Sequence, residues 1–209
     1  MTIGIQTVPD RLLGCWRRNW IRFGADGDHE RHVAVIWLQT ASGMGDVRID
    51  ATQRPEDTDS SCGITVVDES TTPFPTADWL DGDTGFSQQP VSRFPEKGLL
   101  DWHTDSLLYE RAPSGAYVEE WERLGGSDGL IEHHVGVGTP TRVNRYRAGR
   151  HVFVAVERMP GDSVHEFSYG TQSPTDSSVI IELSTVADRI AQPMNFDGHE
   201  WQLVSRRSI

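Results

Sequence analysis

Lysine is almost missing from the 209-residue chain: Lys97 is the only one, and arginine supplies every other basic side chain. Nineteen basic residues stand against thirty-one acidic ones, for a net charge of −12. Such a chain offers no basic stripe to grip phosphate, which argues against nucleic acid and against an anionic membrane surface as partners. Two cysteines, Cys15 and Cys62, are too few for a disulfide framework or a cysteine-rich zinc site. No apolar run approaches the ~18 residues of a membrane span. The start, MTIGIQTVPDRLLGCW, lacks a basic head followed by an apolar core, so no secretory signal is expected. The chelating spacings H-x-H and H-E-x-x-H do not occur, no Ser–His pairing is visible by spacing, and neither G-x-G-x-x-G nor a phosphate loop is present. A serine-hydrolase elbow and a dinucleotide fold are therefore disfavoured. The expectation is a cytoplasmic protein with no metal and no cofactor; one axial histidine holding haem iron is the alternative.

Helical periodicity is nearly absent as well. Apolar residues recur in short β-branched or aromatic runs bounded by turn residues, and the 20 glycines and 11 prolines are spread along the chain. GCWRRNWIRF (Gly14 to Phe23), HVAVIWLQT and GDVRIDA read as a three-stranded meander joined by tight turns. The polar stretch from Gln53 to Asp83 reads as long loop around one strand, CGITVVD, and loops of that length are often functional. Strand grammar resumes with TGFSQQPVSRF, LLDWHTD, LLYER and AYVEEWERL. It continues through HHVGVG, NRYRAGRHVFVAVERM, VHEFSYGTQ, SVIIELST and EWQLVSRR. Only STVADRIAQ has the look of a short helix, with Ser184 or Thr185 as cap and Pro193 as stop. This pattern predicts one all-β domain over residues 1–209, an antiparallel closed barrel of about ten strands with at most one short helix. Closure is preferred to a sandwich because it removes exposed edges.

Strand alternation picks out candidate functional residues. Asp46, Arg48 and Asp50 share one face of GDVRIDA, opposite Val47 and Ile49. Val33, Val35, Trp37 and Gln39 share one face of the second strand, which is apolar on both faces and must be covered on both. Arg17 and Arg18 lie nearby on the first strand. Asp46 and Arg48 form either a solvated ion pair on the outer face or an inward pair able to orient a ligand or take a proton. Gln39, Tyr109 and Tyr117 are candidates to complete their hydrogen bonds. On AYVEEWERL, Tyr117, Glu119, Trp121 and Arg123 share a face. Glu119 between two aromatic rings is either a rim carboxylate or a buried one with a raised pKa. His133 and His134 are adjacent, so they point to opposite faces and cannot chelate one ion; either suits acid–base work near neutral pH. Seven tryptophans serve as core or line an aromatic cavity.

Gly14-Cys15-Trp16 is a G-x-W on the first strand, and in this it resembles the lipocalin or calycin superfamily. The order GCWRRNWIRF, VIWLQT, GDVRI, GF, YVEEWERL, FSYG is similar to a family of small bacterial lipocalin-like proteins over residues 11–205. Those proteins are themselves similar to one half of a fungal double-barrel protein of undefined function. The resemblance implies a calycin-type barrel whose bottom is closed by Trp16, with Arg206 or Arg207 of the last strand packed across its ring. The segment SQQPVSRFPEKGLLDWHTD departs from the family pattern, because Pro90 and Pro95 interrupt it, so the barrel mouth is expected to differ there.

The function expected is the binding of a small, mostly apolar molecule inside the barrel. One alternative is a metal-free cyclase, isomerase or lyase acting on a hydrophobic, secondary-metabolite type of substrate. Another is an interaction module with a filled core. The catalytic candidates are Asp46, Arg48 and Glu119; the ligand-binding candidates are Trp37, Gln39, Tyr117, Trp121 and His134. Pairing into a homodimer is left open.

Overall fold

Gly14 opens the first strand at φ 138°, and a Cβ there would sit 2.7 Å from Nε of Arg123. The glycine of the G-x-W thus lets the Arg123 guanidinium lie across the backbone, where Nε donates to the Leu13 carbonyl at 3.2 Å. From this point the chain winds as a meander. The computed structural model describes residues 8–54, 57–88, 96–137, 141–158, 164–195 and 199–209.

The first sheet contains β1 (Gly14–Phe23), β2 (Val33–Gln39), β3 (Met44–Asp50), β4 (Ser61–Asp68) and β5 (Thr76–Leu80). It continues with the short β6 (Phe86–Ser87), then β7 (Gly98–Thr104), β8 (Leu107–Arg111) and β9 (Tyr117–Arg123). All pairings are antiparallel, and the order β1-β2-β3-β4-β5-β7-β8-β9 returns to β1, which closes an eight-stranded barrel. β6 lies against β4 at Ser61 and Cys62 as an extra strand. A bulge between Arg18 and Trp20 bends β1 where it pairs with β9.

The remaining strands form a second antiparallel sheet. In chain order they are β10 (Leu130–Val137), β11 (Val143–Ala148), β12 (His151–Val156), β13 (Glu166–Gln172), β14 (Val179–Ser184) and β15 (Glu200–Ser208). Spatially they run β14-β13-β12-β11-β10-β15. This sheet packs on the outside of β2 and β3. Phe153 lies flat on Gly45, where any Cβ would come within 2.4 Å of the ring. Outward-facing Ile36, Leu38 and Val47 are buried in one cluster with Tyr146, Phe153 and Phe167. The double apolar face of β2 is thereby accounted for: one side looks into the barrel and the other is roofed by the second sheet. Each such side chain contributes about 1.5–3 kcal/mol on burial.

Several expectations change. The last strand is not a barrel strand: β15 pairs with β10 in the second sheet. Arg206 and Arg207 bond there to Glu132 and Asp10, not across Trp16. The stretch from Gln53 to Asp83 holds two strands, because TADWL forms β5 directly after Pro73 and Pro75. NRYRAGRHVFVAVERM is a hairpin, split by a turn at Gly149–Arg150 between paired Ala148 and His151. STVADRIAQ yields only a 3-10 turn at Ala187–Arg189, preceded by Ser184 Oγ accepting from the Val186 N–H at 3.0 Å. Among the described residues there is no α-helix, and no helix is long and apolar enough to cross a membrane. The expectation about Pro90 and Pro95 falls at 89–95, outside the described residues.

Candidate functional site

The pairing register carries one inward phase round the barrel. Trp16 is opposite Trp37, Trp37 opposite Asp46, Val67 opposite Ala77, Leu100 opposite Glu110, and Glu110 opposite Glu119. At one end the interior is packed with indoles. Trp37 meets Trp121 and Trp79 edge-on at 5.6 and 6.0 Å and lies 6.5 Å from Trp16. Trp16 Nε1 donates to the Leu12 carbonyl at 2.9 Å, in the turn that seals this end. The guanidinium that caps an indole here is Arg11, 3.7 Å above Trp102. Gln39 belongs to the same end: its Oε1 accepts from Trp37 Nε1 at 3.2 Å and from Thr65 Oγ1 at 2.6 Å, and its Nε2 donates to the Thr40 carbonyl at 2.8 Å.

The middle tier carries charge. Arg48 makes a two-pronged contact with Asp46, Nε to Oδ1 and Nη2 to Oδ2, both 3.0 Å. Arg18 donates to Glu119 Oε1 at 2.5 Å, and those two side chains are 6% and 2% exposed. Burial opposes the Arg48 charge, but Asp46, Glu119 and Asp59 more than offset it and hold the guanidinium firmly protonated. Behind the arginines stands Glu110, whose Oε1 accepts from Tyr117 Oη at 2.8 Å. Burial, and then the neighbouring Glu119, push the Glu110 carboxyl up to about 8, although the Tyr117 hydrogen bond works the other way. Burial and the adjacent Glu110 raise the Tyr117 phenol in turn. Glu110 is therefore a buried carboxyl that holds a proton at neutral pH.

At the opposite end from the tryptophans the barrel opens into a cavity of about 250 Å³. Arg18 and Arg48 lie on its inner side; Ile21, Phe23 and Val33 give it an apolar flank; Asp50 lies on its polar side. Gln53, Thr58 and Asp59, from the connection between β3 and β4, complete that side.

Seven of the eight residues singled out from sequence point into the barrel, and the ion pair of Asp46 and Arg48 is inward. Only Arg48 of them reaches the cavity wall. Trp37, Gln39 and Trp121 lie in the packed end; Asp46, Tyr117 and Glu119 lie in the middle tier. Arg17, by contrast, turns outward to Glu122 at 2.6 Å. His134 is not part of this site. It sits on β10, opposite Arg145 and Leu203 in the second sheet, and faces the side away from His133. Glu110 was missed because LLYER is too short to display a phase of its own. Arg18, read from sequence as a neighbour of Asp46 and Arg48 but not as a catalytic or binding candidate, alternates with Trp16 on β1 and lines the cavity.

A second polar cluster joins the two sheets. Asn144 Nδ2 donates to the Thr84 carbonyl at 2.8 Å, so Asn144 Oδ1 accepts the Nε2 proton of His133 at 3.1 Å. His133 Nδ1 then accepts from Ser42 Oγ at 3.0 Å. Burial lowers the His133 pKa to about 4, so the ring is neutral. Among the described residues no three His, Cys, Asp or Glu side chains are grouped to hold a metal ion.

No protein-family model matches the chain, and no curated protein matches it. Among solved structures it is similar to the crystal structure of an uncharacterized protein from Saccharomyces cerevisiae, with a TM-score of 0.67 and 9% identity. The match covers 93% of this chain and 99% of that one, so it takes in both sheets. At that identity the likeness establishes a shared fold, the closed antiparallel barrel with its flanking sheet.

Proposed function

We propose that this protein binds a small molecule in the mouth of its barrel, as lipocalin-like barrels do. The observation that carries the reading is the cavity of about 250 Å³, placed where the wall is open and backed by two buried arginine–carboxylate pairs. Its size suits a molecule at or below the lower end of ordinary ligand pockets, about 300 Å³. The expectation of a mostly apolar ligand is narrowed to an amphipathic one, because Ile21, Phe23 and Val33 share the cavity with charged side chains. A cytoplasmic location and self-pairing belong to the same proposal.

A second reading is a metal-free enzyme that moves a proton, of the cyclase, isomerase or lyase kind. Glu110 favours it, as an acid retained in protonated form beside Glu119 and Tyr117. Binding is preferred, because Glu110, Glu119 and Asp46 all stand behind the arginines and only Arg48 of the proposed catalytic residues touches the cavity. The tryptophan-packed end is what a filled interaction module would also have; the open mouth separates the two.

Native mass spectrometry of the freshly purified full chain tests the proposal. A co-purifying small molecule that is absent from Val33→Trp, in which the cavity is blocked, supports it. A molecule retained equally by Val33→Trp, or a wild-type protein that carries nothing and takes up no member of a small amphipathic library, contradicts it.

A further inference from the structure

Asp50 closes β3 with its side chain turned into the barrel, and the side chain is only 4% exposed. Its two oxygens have different surroundings. Oδ1 accepts from the Thr52 backbone N–H at 2.8 Å and from Thr52 Oγ1 at 2.7 Å, which fixes the carboxylate and keeps it ionised. Oδ2 is buried and has no hydrogen-bond partner among the described residues. His32 Nε2 stands 3.7 Å from it, beyond hydrogen-bond reach. Asp50 lines the cavity at the barrel mouth. An ionised carboxylate oxygen out of water and without a donor is costly, so a donor supplied by a ligand relieves a standing penalty.

The acidic side chains on the cavity wall outnumber the arginines. Arg18 is matched by Glu119, and Arg48 by Asp46 with Asp59 adding to its field. Glu30 and Asp50 then add negative charge on the wall, where the cation facing Asp50 is His32, at 3.7 Å and charged only when protonated. An anionic guest would meet arginines whose carboxylates are already in place. A cationic guest would meet a carboxylate oxygen that has no hydrogen bond, and the field of a chain of net charge −12 would draw it in.

Resting on the binding proposal above, we infer that the ligand is a small organic cation, an ammonium or amidinium, whose N–H group donates to Asp50 Oδ2 while its apolar body lies on Ile21, Phe23 and Val33. The apolar flank selects an organic cation over a bare ion. A calcium ion would need six to eight oxygen ligands, and among the described residues no three His, Cys, Asp or Glu side chains are grouped to hold an ion.

The test is calorimetric titration of the intact wild-type chain with benzylammonium, benzyl alcohol and benzoate, which share one ring and differ in charge. Benzylammonium is expected to bind about tenfold more tightly than benzyl alcohol, and benzoate most weakly, as a charge-assisted hydrogen bond requires. Asp50→Asn is expected to remove the advantage of the cation and leave benzyl alcohol unchanged. The wild-type comparison decides the matter even where the variant does not fold. Equal binding of benzylammonium and benzyl alcohol, or tighter binding of benzoate, overturns the cationic ligand and leaves the cavity standing. Binding of calcium chloride in preference to benzylammonium overturns it too. If none of the three rings binds, the cavity proposal fails with it.

Discussion

Glu110 stands directly opposite Glu119 in the β8–β9 ladder, and both carboxyls are buried inside the barrel. Burial first, and then the repulsion between two like charges opposite each other on one face, favour a proton on one of them. Arg18 holds Glu119 as its ion-pair partner, and the proton stays on Glu110, at a pKa of about 8 against an ordinary 4.5. A carboxyl whose folded pKa lies above its unfolded one favours folding most at low pH. That contribution is complete below about 4.5 and is lost as pH rises through about 8. Wild-type melting temperature should therefore carry a falling component from pH 5 to 9 that Glu110→Gln lacks. Identical pH profiles for the two proteins would mean that Glu110 is ionised in the fold.

Removing Arg18 should expose the same balance from the other side. Arg18→Met leaves the Glu119 charge buried and uncompensated, at a cost of about 3–5 kcal/mol in urea unfolding. Replacing both partners, as Arg18→Met with Glu119→Leu, should recover a large part of that loss. A single variant as stable as wild type would place the pair in solvent.

Trp16→Ala deletes a fully buried indole next to Trp37 and removes the donor to the Leu12 carbonyl. Stability should fall by about 3–5 kcal/mol, as for other large core deletions. An unchanged unfolding midpoint would contradict its place in the sealed end.

His133 works with the opposite sign to Glu110. Its folded pKa of about 4 lies below the ordinary 6.5, so folding favours the neutral ring, and stability drains away as pH falls from about 6.5 towards 4. His133→Gln should flatten that part of the acid limb. Nitrogen NMR of the wild-type ring should find the proton on Nε2, facing Asn144. A proton on Nδ1 would reverse the Ser42 hydrogen bond.

The barrel was legible because alternation is a local signal. Asp46, Arg48, Trp37, Gln39, Tyr117, Glu119 and Trp121 could each be assigned a face from their own strand, and the double apolar face of β2 already required a cover on both sides. What covered it was not legible. The runs of β10 to β15 have the same two-residue period as barrel strands, and whether a strand joins one sheet or another depends on partners distant in sequence. That ambiguity misplaced Arg206, Arg207 and His134. β5 was hidden by Pro73 and Pro75, which read as loop although the strand begins at the next residue. Glu110 could be recognised only once the ladder had set Glu119 opposite it, and Asp50 Oδ2 only once the turn after β3 had brought Thr52 to the other oxygen.

The central claim, a cavity at the barrel mouth that admits a small guest, is tested most directly by methyl NMR. The intact chain, labelled at isoleucine and valine methyls, would be titrated with small amphipathic probes. Saturable shifts should appear at Ile21 and Val33, which line the cavity, and not at Val154 and Val179 in the second sheet's own cluster. Methyls of Ile21 and Val33 that stay still for every probe, or shifts confined to Val154 and Val179, would contradict it.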